Sequence, residues 1–137
     1  MKTNPQAGFS LIELLLVVVI IGIVAAIAIP NFQRASHAAE NGSAYSLMRS
    51  IASSELSFYT AHGRYGRLDE LTPSTGSALG DVIGPRLYRG KFLYEMIPLT
   101  PTDDQIKNQY TIAGIRTLSM NVRYEITQTG VIEQIYP

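Results

Sequence analysis

An uncharged apolar segment near the start of the chain constrains the fold more than any other feature. No charged side chain occurs from Leu14 through Gln33, and every residue from Leu14 to Ile29 is apolar except Gly22. Extended back to Phe9 the segment has 21 residues. As a helix it would be about 31 Å long, which matches the thickness of a bilayer core. Because lipid offers the backbone no hydrogen-bonding partner, the β-branched run inside the segment must also be helical. The sequence therefore predicts a transmembrane helix.

The residues just before this segment are the most informative about function. A polar stretch ends at Gly8 and is followed by FSLIE, residues 9–13. A carboxylate inside a membrane segment costs about 2.5–3.5 kcal/mol on insertion scales, so Glu13 is a functional candidate unless it only marks the water interface. The octapeptide from Gly8 to Leu15 resembles the cleavage and methylation motif of type IV pilins and type II secretion pseudopilins. Pro30 lies where that family also carries a proline.

The resemblance implies a role for each position of the motif. A prepilin peptidase would cleave between Gly8 and Phe9 on the cytoplasmic side, and the new amine of Phe9 would be N-methylated. Glu13 becomes the fifth residue of the mature chain, which the family uses for peptidase recognition or assembly. A buried Glu13 carboxylate would offset the cost of a buried Phe9 ammonium on a neighbouring subunit and so set the docking register. The competing interpretation is ordinary secretion, with cleavage after an A-x-A site at residues 26–28.

The helix is expected to continue beyond the membrane, from about Phe9 to about His62. Pro30 cannot donate to the carbonyl four residues earlier, so we expect it to kink or locally melt the helix, with Gly22 as a further weak point. Apolar residues then recur at helical spacing, which predicts a stripe that packs against a small domain. The stripe consists of Ala44, Leu47, Met48, Ile51, Ala52, Phe58 and Tyr59.

The remainder of the chain is predicted to complete a globular domain. Residues 63–90 contain six glycines and two prolines, and are interpreted as a loop with one short helical turn around Leu68 to Leu71. Alternating and β-branched patterns predict strands at residues 92–97, 110–117, 120–127 and 131–136, with a hairpin turn at 128–130. The fold class is therefore α+β, with about four antiparallel strands packed on the long helix. The expected organisation is a leader (1–8), a transmembrane or filament-core half of the helix (9–30), an amphipathic half (31–62), and a loop plus sheet (63–137).

The sequence offers little for catalysis or metal binding. The only two histidines, His37 and His62, belong to no metal-binding pattern, and the chain has no cysteine. It also has no phosphate-binding glycine pattern. Asp103 and Asp104 are interpreted as solvated turn acids rather than as a calcium site. We therefore expect no enzyme activity, no metal and no cofactor.

Positive charge is concentrated between residues 64 and 91. Eleven basic and eleven acidic residues nevertheless balance over the chain, and acids are interspersed among these cations. A mixed solvated surface is expected rather than a nucleic-acid interface, whose affinity would come from unbalanced positive charge. The cations concerned are Arg64, Arg67, Arg86, Arg89 and Lys91.

The resemblance implies a structural subunit of a type IV pilus-like filament. The subunit would lie in the bacterial inner membrane before assembly and in an extracellular pilus afterwards. Its partners would be copies of itself and related minor pilins, the prepilin peptidase and N-methyltransferase, and indirectly an assembly platform protein and an ATPase. Two alternatives remain open: a type II secretion pseudopilin that forms a periplasmic pseudopilus and drives export, and a membrane-anchored periplasmic module that never polymerises.

Overall fold

The structure, a computed structural model, describes residues 8–75, 78–117 and 122–135, without the side chains of residues 73–75. The chain divides into two compact units, residues 1–39 and residues 40–137. The regular elements are two helices and six strands within the described ranges. These are α1 (Leu11–His62), α2 (Leu68–Thr75), β1 (Asp81–Ile83), β2 (Arg86–Arg89), β3 (Phe92–Met96), β4 (Thr111–Arg116), β5 (Arg123–Thr127) and β6 (Ile132–Ile135).

Helix α1 confirms the predicted long helix. It starts where the carbonyl of Ser10 accepts hydrogen bonds from the N–H groups of Glu13 (3.1 Å) and Leu14 (3.2 Å). It ends after His62, where the N–H of Gly63 donates to the carbonyl of Tyr59 at 2.8 Å.

The helix is continuous through Gly22 and Pro30, so the local melting expected at Pro30 does not occur in it. Pro30 has no N–H to donate to the preceding turn. The side-chain amide of Asn31 donates to the carbonyl of Ile27 in that turn, at 3.1 Å. A bend at Gly22 or Pro30 stays a prediction.

The sheet has six antiparallel strands rather than the predicted four, and neighbouring strands along the chain are neighbours in the sheet. The two additional strands, β1 and β2, lie in residues 63–90, which the sequence analysis interpreted as loop. They could not be recognised from alternating polar and apolar residues because they are only three and four residues long. Two-residue turns join β1 to β2 and β2 to β3. The first residue of each turn, Gly84 or Gly90, has a φ of 60°, as a type II′ hairpin turn requires.

The other predicted elements are largely confirmed. Strands β3, β4, β5 and β6 lie within the four predicted ranges, and residues 128–130 form the expected turn between β5 and β6. Residues 120–121 of the third predicted range and residue 136 of the fourth lie outside the described part of the chain. Helix α2 extends the expected short turn to eight residues, and it buries Leu68 and Leu71.

The core of the second unit forms between α1 and one face of the sheet. On α1, four residues of the predicted stripe are buried: Ala44, Leu47, Met48 and Ile51. Facing them are inward side chains of β2 to β5, namely Leu87, Phe92, Tyr94, Met96, Ile112, Tyr124 and Ile126. Burying this apolar surface supplies the main driving force for folding of the unit.

Candidate functional site

The motif residues lie at the junction between an irregular segment and the start of α1. Gly8, Phe9 and Ser10 precede the helix and are exposed, and the Phe9 side chain is 79% accessible. Glu13 lies in the first helical turn and is also exposed. Within the described ranges, Glu13 takes part in no ion pair. The Gly8–Phe9 peptide bond is therefore accessible, while the Glu13 carboxylate has no described polar partner.

The apolar segment of α1 is exposed in this structure. Every Leu, Ile and Val side chain from Leu14 to Ile29 is exposed. An 18-residue window of the helix is long and apolar enough to cross a membrane, and none of it is buried. Contiguous apolar surface of this extent is rare on a soluble monomer and marks a membrane or protein interaction site. The segment therefore requires either lipid or the helices of other chains around it.

The basic residues between 64 and 91 do not form an unbalanced positive patch. Arg86 pairs with Glu95 across neighbouring strands at 2.9 Å, and Lys91 pairs with Glu40 of α1 at 2.6 Å. Arg89 donates to the carbonyl of Ala78. Carboxylates of the chain itself therefore neutralise Arg86 and Lys91.

The two remaining cations belong to a network at the start of α2. Arg64 donates two hydrogen bonds to the Glu70 carboxylate, at 2.8 and 2.7 Å. The backbone N–H of Arg67 donates to the same carboxylate at 2.8 Å, so Glu70 also caps the helix N-terminus. The Arg67 side chain pairs with Asp103 at 2.5 Å. The Asp103 carboxylate is therefore already paired with an arginine of the chain itself. Within the described ranges, no group of three or more His, Cys, Asp or Glu side chains could hold a metal ion.

We expect Glu70→Gln to lower the free energy of unfolding by about 1–3 kcal/mol at pH 7, because it removes charge-assisted hydrogen bonds from Arg64. The hydrogen bond from Arg64 lowers the pKa of Glu70 to about 2. The stabilisation is therefore present above the ordinary pKa of 4.5 and is lost as the pH falls toward 2. Thermal unfolding of the full chain in detergent micelles should separate the variant from the native chain at pH 7, and the two should converge near pH 2. The neighbouring exposed residue Asp69 supplies the control, and an equal effect of Asp69→Asn would contradict the assignment.

Two charged groups in the second unit were not predicted as buried. Arg116 at the end of β4 lies over the Phe92 ring at 5.5 Å, and donates to the Asn41 side chain at 2.7 Å. Glu55 of α1 is completely buried and accepts a hydrogen bond from the backbone N–H of Gly66 at 2.7 Å. The burial of Glu55 could have been predicted from the sequence, because Glu55 lies four residues after Ile51 and therefore on the buried stripe of the helix.

Of the two histidines considered in the sequence analysis, only His62 has contacts that assign it a local structural role. The His62 ring stacks on Phe58 at a centroid distance of 4.0 Å, and its Nδ1 lies 3.1 Å from the Phe58 carbonyl oxygen. His37 is in the first unit on α1 and stays without an assigned role.

Comparison with known proteins identifies the family to which the motif belongs. Residues 3–29 match the family described as the prokaryotic N-terminal methylation motif. The match covers the motif and the apolar segment, including Gly8, Phe9 and Glu13.

Similarity to known proteins extends beyond the motif, over most of the chain. The type IV major pilin protein PilE1 of Neisseria gonorrhoeae is 31% identical over 121 residues, which cover 88% of this chain and 63% of that protein. The type IV major pilin protein PilA of Myxococcus xanthus is 43% identical over 65 residues, which cover 47% of this chain and 30% of that protein. A fimbrial protein of Neisseria meningitidis serogroup A is 28% identical over 116 residues, which cover 85% of this chain and 59% of that protein.

The chain thus spans between about a third and two thirds of the length of these relatives. This chain combines the methylation motif and an exposed apolar segment at the start of α1 with identity to a major pilin over most of its length. With a long helix packed on an antiparallel sheet, the chain is similar to type IV major pilins over most of its length.

Proposed function

We propose that this chain is a structural subunit of a type IV pilus-like filament, polymerised through the first part of α1. The observation that carries the proposal is the apolar segment of α1, which is exposed over its whole length and begins with the methylation motif. Neighbouring helices in a filament would surround these side chains in place of lipid. Extraction from the membrane is then feasible because one apolar environment replaces another.

Before assembly the subunit spans the bacterial inner membrane once, with its N-terminus on the cytoplasmic side. There a prepilin peptidase cleaves after Gly8 and the amine of Phe9 is N-methylated. The exposed, non-helical backbone of residues 8–10 supports this step, since a protease requires an accessible peptide bond. Methylation leaves the positive charge on the amine.

In the filament, the Glu13 carboxylate pairs with the Phe9 ammonium of a neighbouring subunit. Each charge alone would be costly in an apolar filament core, and pairing offsets most of that cost. The pairing sets the register in which a subunit docks. The energy for extraction comes from an assembly ATPase acting through a platform protein, and further subunits and minor pilins are the partners within the fibre.

The subunit acts by assembly and not by catalysis. The names of the similar proteins, two type IV major pilins and a fimbrial protein, favour a pilus over a type II secretion pseudopilus. Sheared fibres that contain the chain and are visible by electron microscopy support the pilus. A loss of enzyme secretion in a deletion strain without such fibres would favour the pseudopilus.

We expect the mature chain to begin at N-methylated Phe9, because the motif directs cleavage after Gly8. Intact-mass and N-terminal peptide mass spectrometry on the protein from its native membrane or sheared-fibre fraction measures this directly. An N-terminus at Met1 would mean an unprocessed anchor, and one at Ile29 would mean ordinary secretion. Either result would overturn the proposed filament function.

A further inference from the structure

Glu55 is a buried carboxyl group of which only one oxygen has a hydrogen-bond partner. Its side chain has no exposed surface. Oε2 accepts the backbone N–H of Gly66 at 2.7 Å, whereas Oε1 is buried with no hydrogen-bond partner. A buried polar atom in this state is uncommon and costly in a folded protein.

The Gly66 hydrogen bond joins two elements of the second unit. It links the last turns of α1 to the segment 63–67, which leads into α2. Gly66 is tightly enclosed, since a Cβ there would lie 2.8 Å from Leu71 Cδ2 and 3.2 Å from the Phe58 ring. Beside it, the N–H of Tyr65 donates to the carbonyl of Ile106 at 3.0 Å. The segment 63–67 therefore closes directly over the Glu55 carboxyl group.

The groups facing Glu55 do not neutralise an ionised carboxylate. Arg64 is the nearby cation, but both of its terminal nitrogens are bound to the Glu70 carboxylate. Glu70 itself repels a negative charge on Glu55, and the other titratable neighbours are the phenols of Tyr65 and Tyr110. Burial raises the pKa of Glu55 to about 7, outweighing the opposite effects of the Gly66 hydrogen bond and of the Arg64 charge.

We propose that Glu55 is a proton-operated latch on the segment 63–67: the segment closes over the neutral carboxyl group and opens to water when that group is ionised. On opening, the proton passes to solvent, Gly66 loses its side-chain acceptor, and water hydrates both carboxylate oxygens. The latch controls the surface that carries Arg64 and Arg67, whose ion pairs with Glu70 and Asp103 form in the closed state. This inference is independent of the proposed filament function.

The direction of the pH effect follows from linkage. The closed state holds the proton with a pKa of about 7, whereas a hydrated glutamate has the ordinary value of 4.5. Closure is therefore favoured below pH 4.5 and weakens as the pH rises through about 7. The sensitive range lies between these two values, and above it the opening equilibrium levels off.

Amide hydrogen exchange at Gly66, measured on the full chain in detergent micelles and corrected for the intrinsic pH dependence of exchange, tests the latch. Between pH 5.5 and 8.5 we expect the opening equilibrium at Gly66 to rise about thirtyfold in the native chain. In Glu55→Gln, whose uncharged amide mimics the protonated form, it should change less than about twofold. The exposed Glu133 makes no ion pair within the described ranges, and Glu133→Gln should behave as the native chain does.

A second measurement on the native chain does not depend on a variant that folds. The ¹³C resonance of the Glu55 carboxyl group should titrate near pH 7. A midpoint near 4.5 would overturn the latch, as would the same rise of Gly66 exchange in the native chain and in Glu55→Gln. Both measurements use unassembled chains, so their outcome is independent of whether filaments form.

Discussion

Replacing Glu13 with alanine should abolish filament assembly while leaving the chain in the membrane. In the proposed filament the Phe9 ammonium of each subunit needs a neighbouring carboxylate. Removing one partner of a buried ion pair costs about 3–5 kcal/mol, so filament yield should fall by more than about a hundredfold. Insertion should persist because the apolar segment of α1 is unchanged and the substitution removes a membrane-buried charge.

The measurement is the amount of chain in the sheared-fibre fraction relative to the membrane fraction. Two controls make it specific. Glu13→Asp keeps the charge and should retain part of the assembly, and Glu133→Ala removes an exposed carboxylate elsewhere and should assemble normally. Fibres at the native level in Glu13→Ala would remove the charge pair from the mechanism. They would favour a docking contact that needs no charge at this position.

The second large effect is expected at Gly114, at the centre of the sheet. Gly114 of β4 is paired with Tyr94 of β3. A Cβ there would lie 2.9 Å from Tyr94 Cε1 and 3.4 Å from the sulfur of Met48 on α1. Both side chains are buried, so neither has free space to move into. Gly114→Val should lower the free energy of unfolding by about 3 kcal/mol or more, at the upper end of the cost of overpacking a core.

A matched glycine on α1 separates crowding from the loss of glycine itself. At Gly42 a Cβ would meet nothing within 4 Å. Because glycine weakens a helix relative to alanine, Gly42→Ala should stabilise the chain by about 0.5–1 kcal/mol. Thermal unfolding of each chain in detergent micelles, followed by the near-ultraviolet signal of the tyrosines, gives the comparison. Equal shifts at the two positions would contradict the proposed packing at Gly114.

Elements with a strong local period could be predicted from the sequence. Helix α1 follows from its apolar run and helical stripe, and β3 to β6 follow from alternation and hairpin signals. Strands β1 and β2 could not be recognised by alternation because they are too short, although the turn glycines Gly84 and Gly90 carried a hairpin signal. The candidate site was predicted from the motif alone, because the proposed cleavage, methylation and charge pairing at Glu13 all depend on residues close together in the chain.

What the sequence by itself determined is where the chain is helical, which segment must leave water, and which residues carry the processing motif. Each of these depends on neighbouring residues, since helical hydrogen bonds and apolar runs are local. The tertiary structure decided the environment of the charged side chains: Glu55 is buried under Gly66, Arg116 reaches Asn41, and Lys91 pairs with Glu40. The partners lie between 11 and 75 positions apart in the chain. The cost of desolvating a charge and the gain from pairing it depend on what folding brings beside it, and no local pattern encodes that.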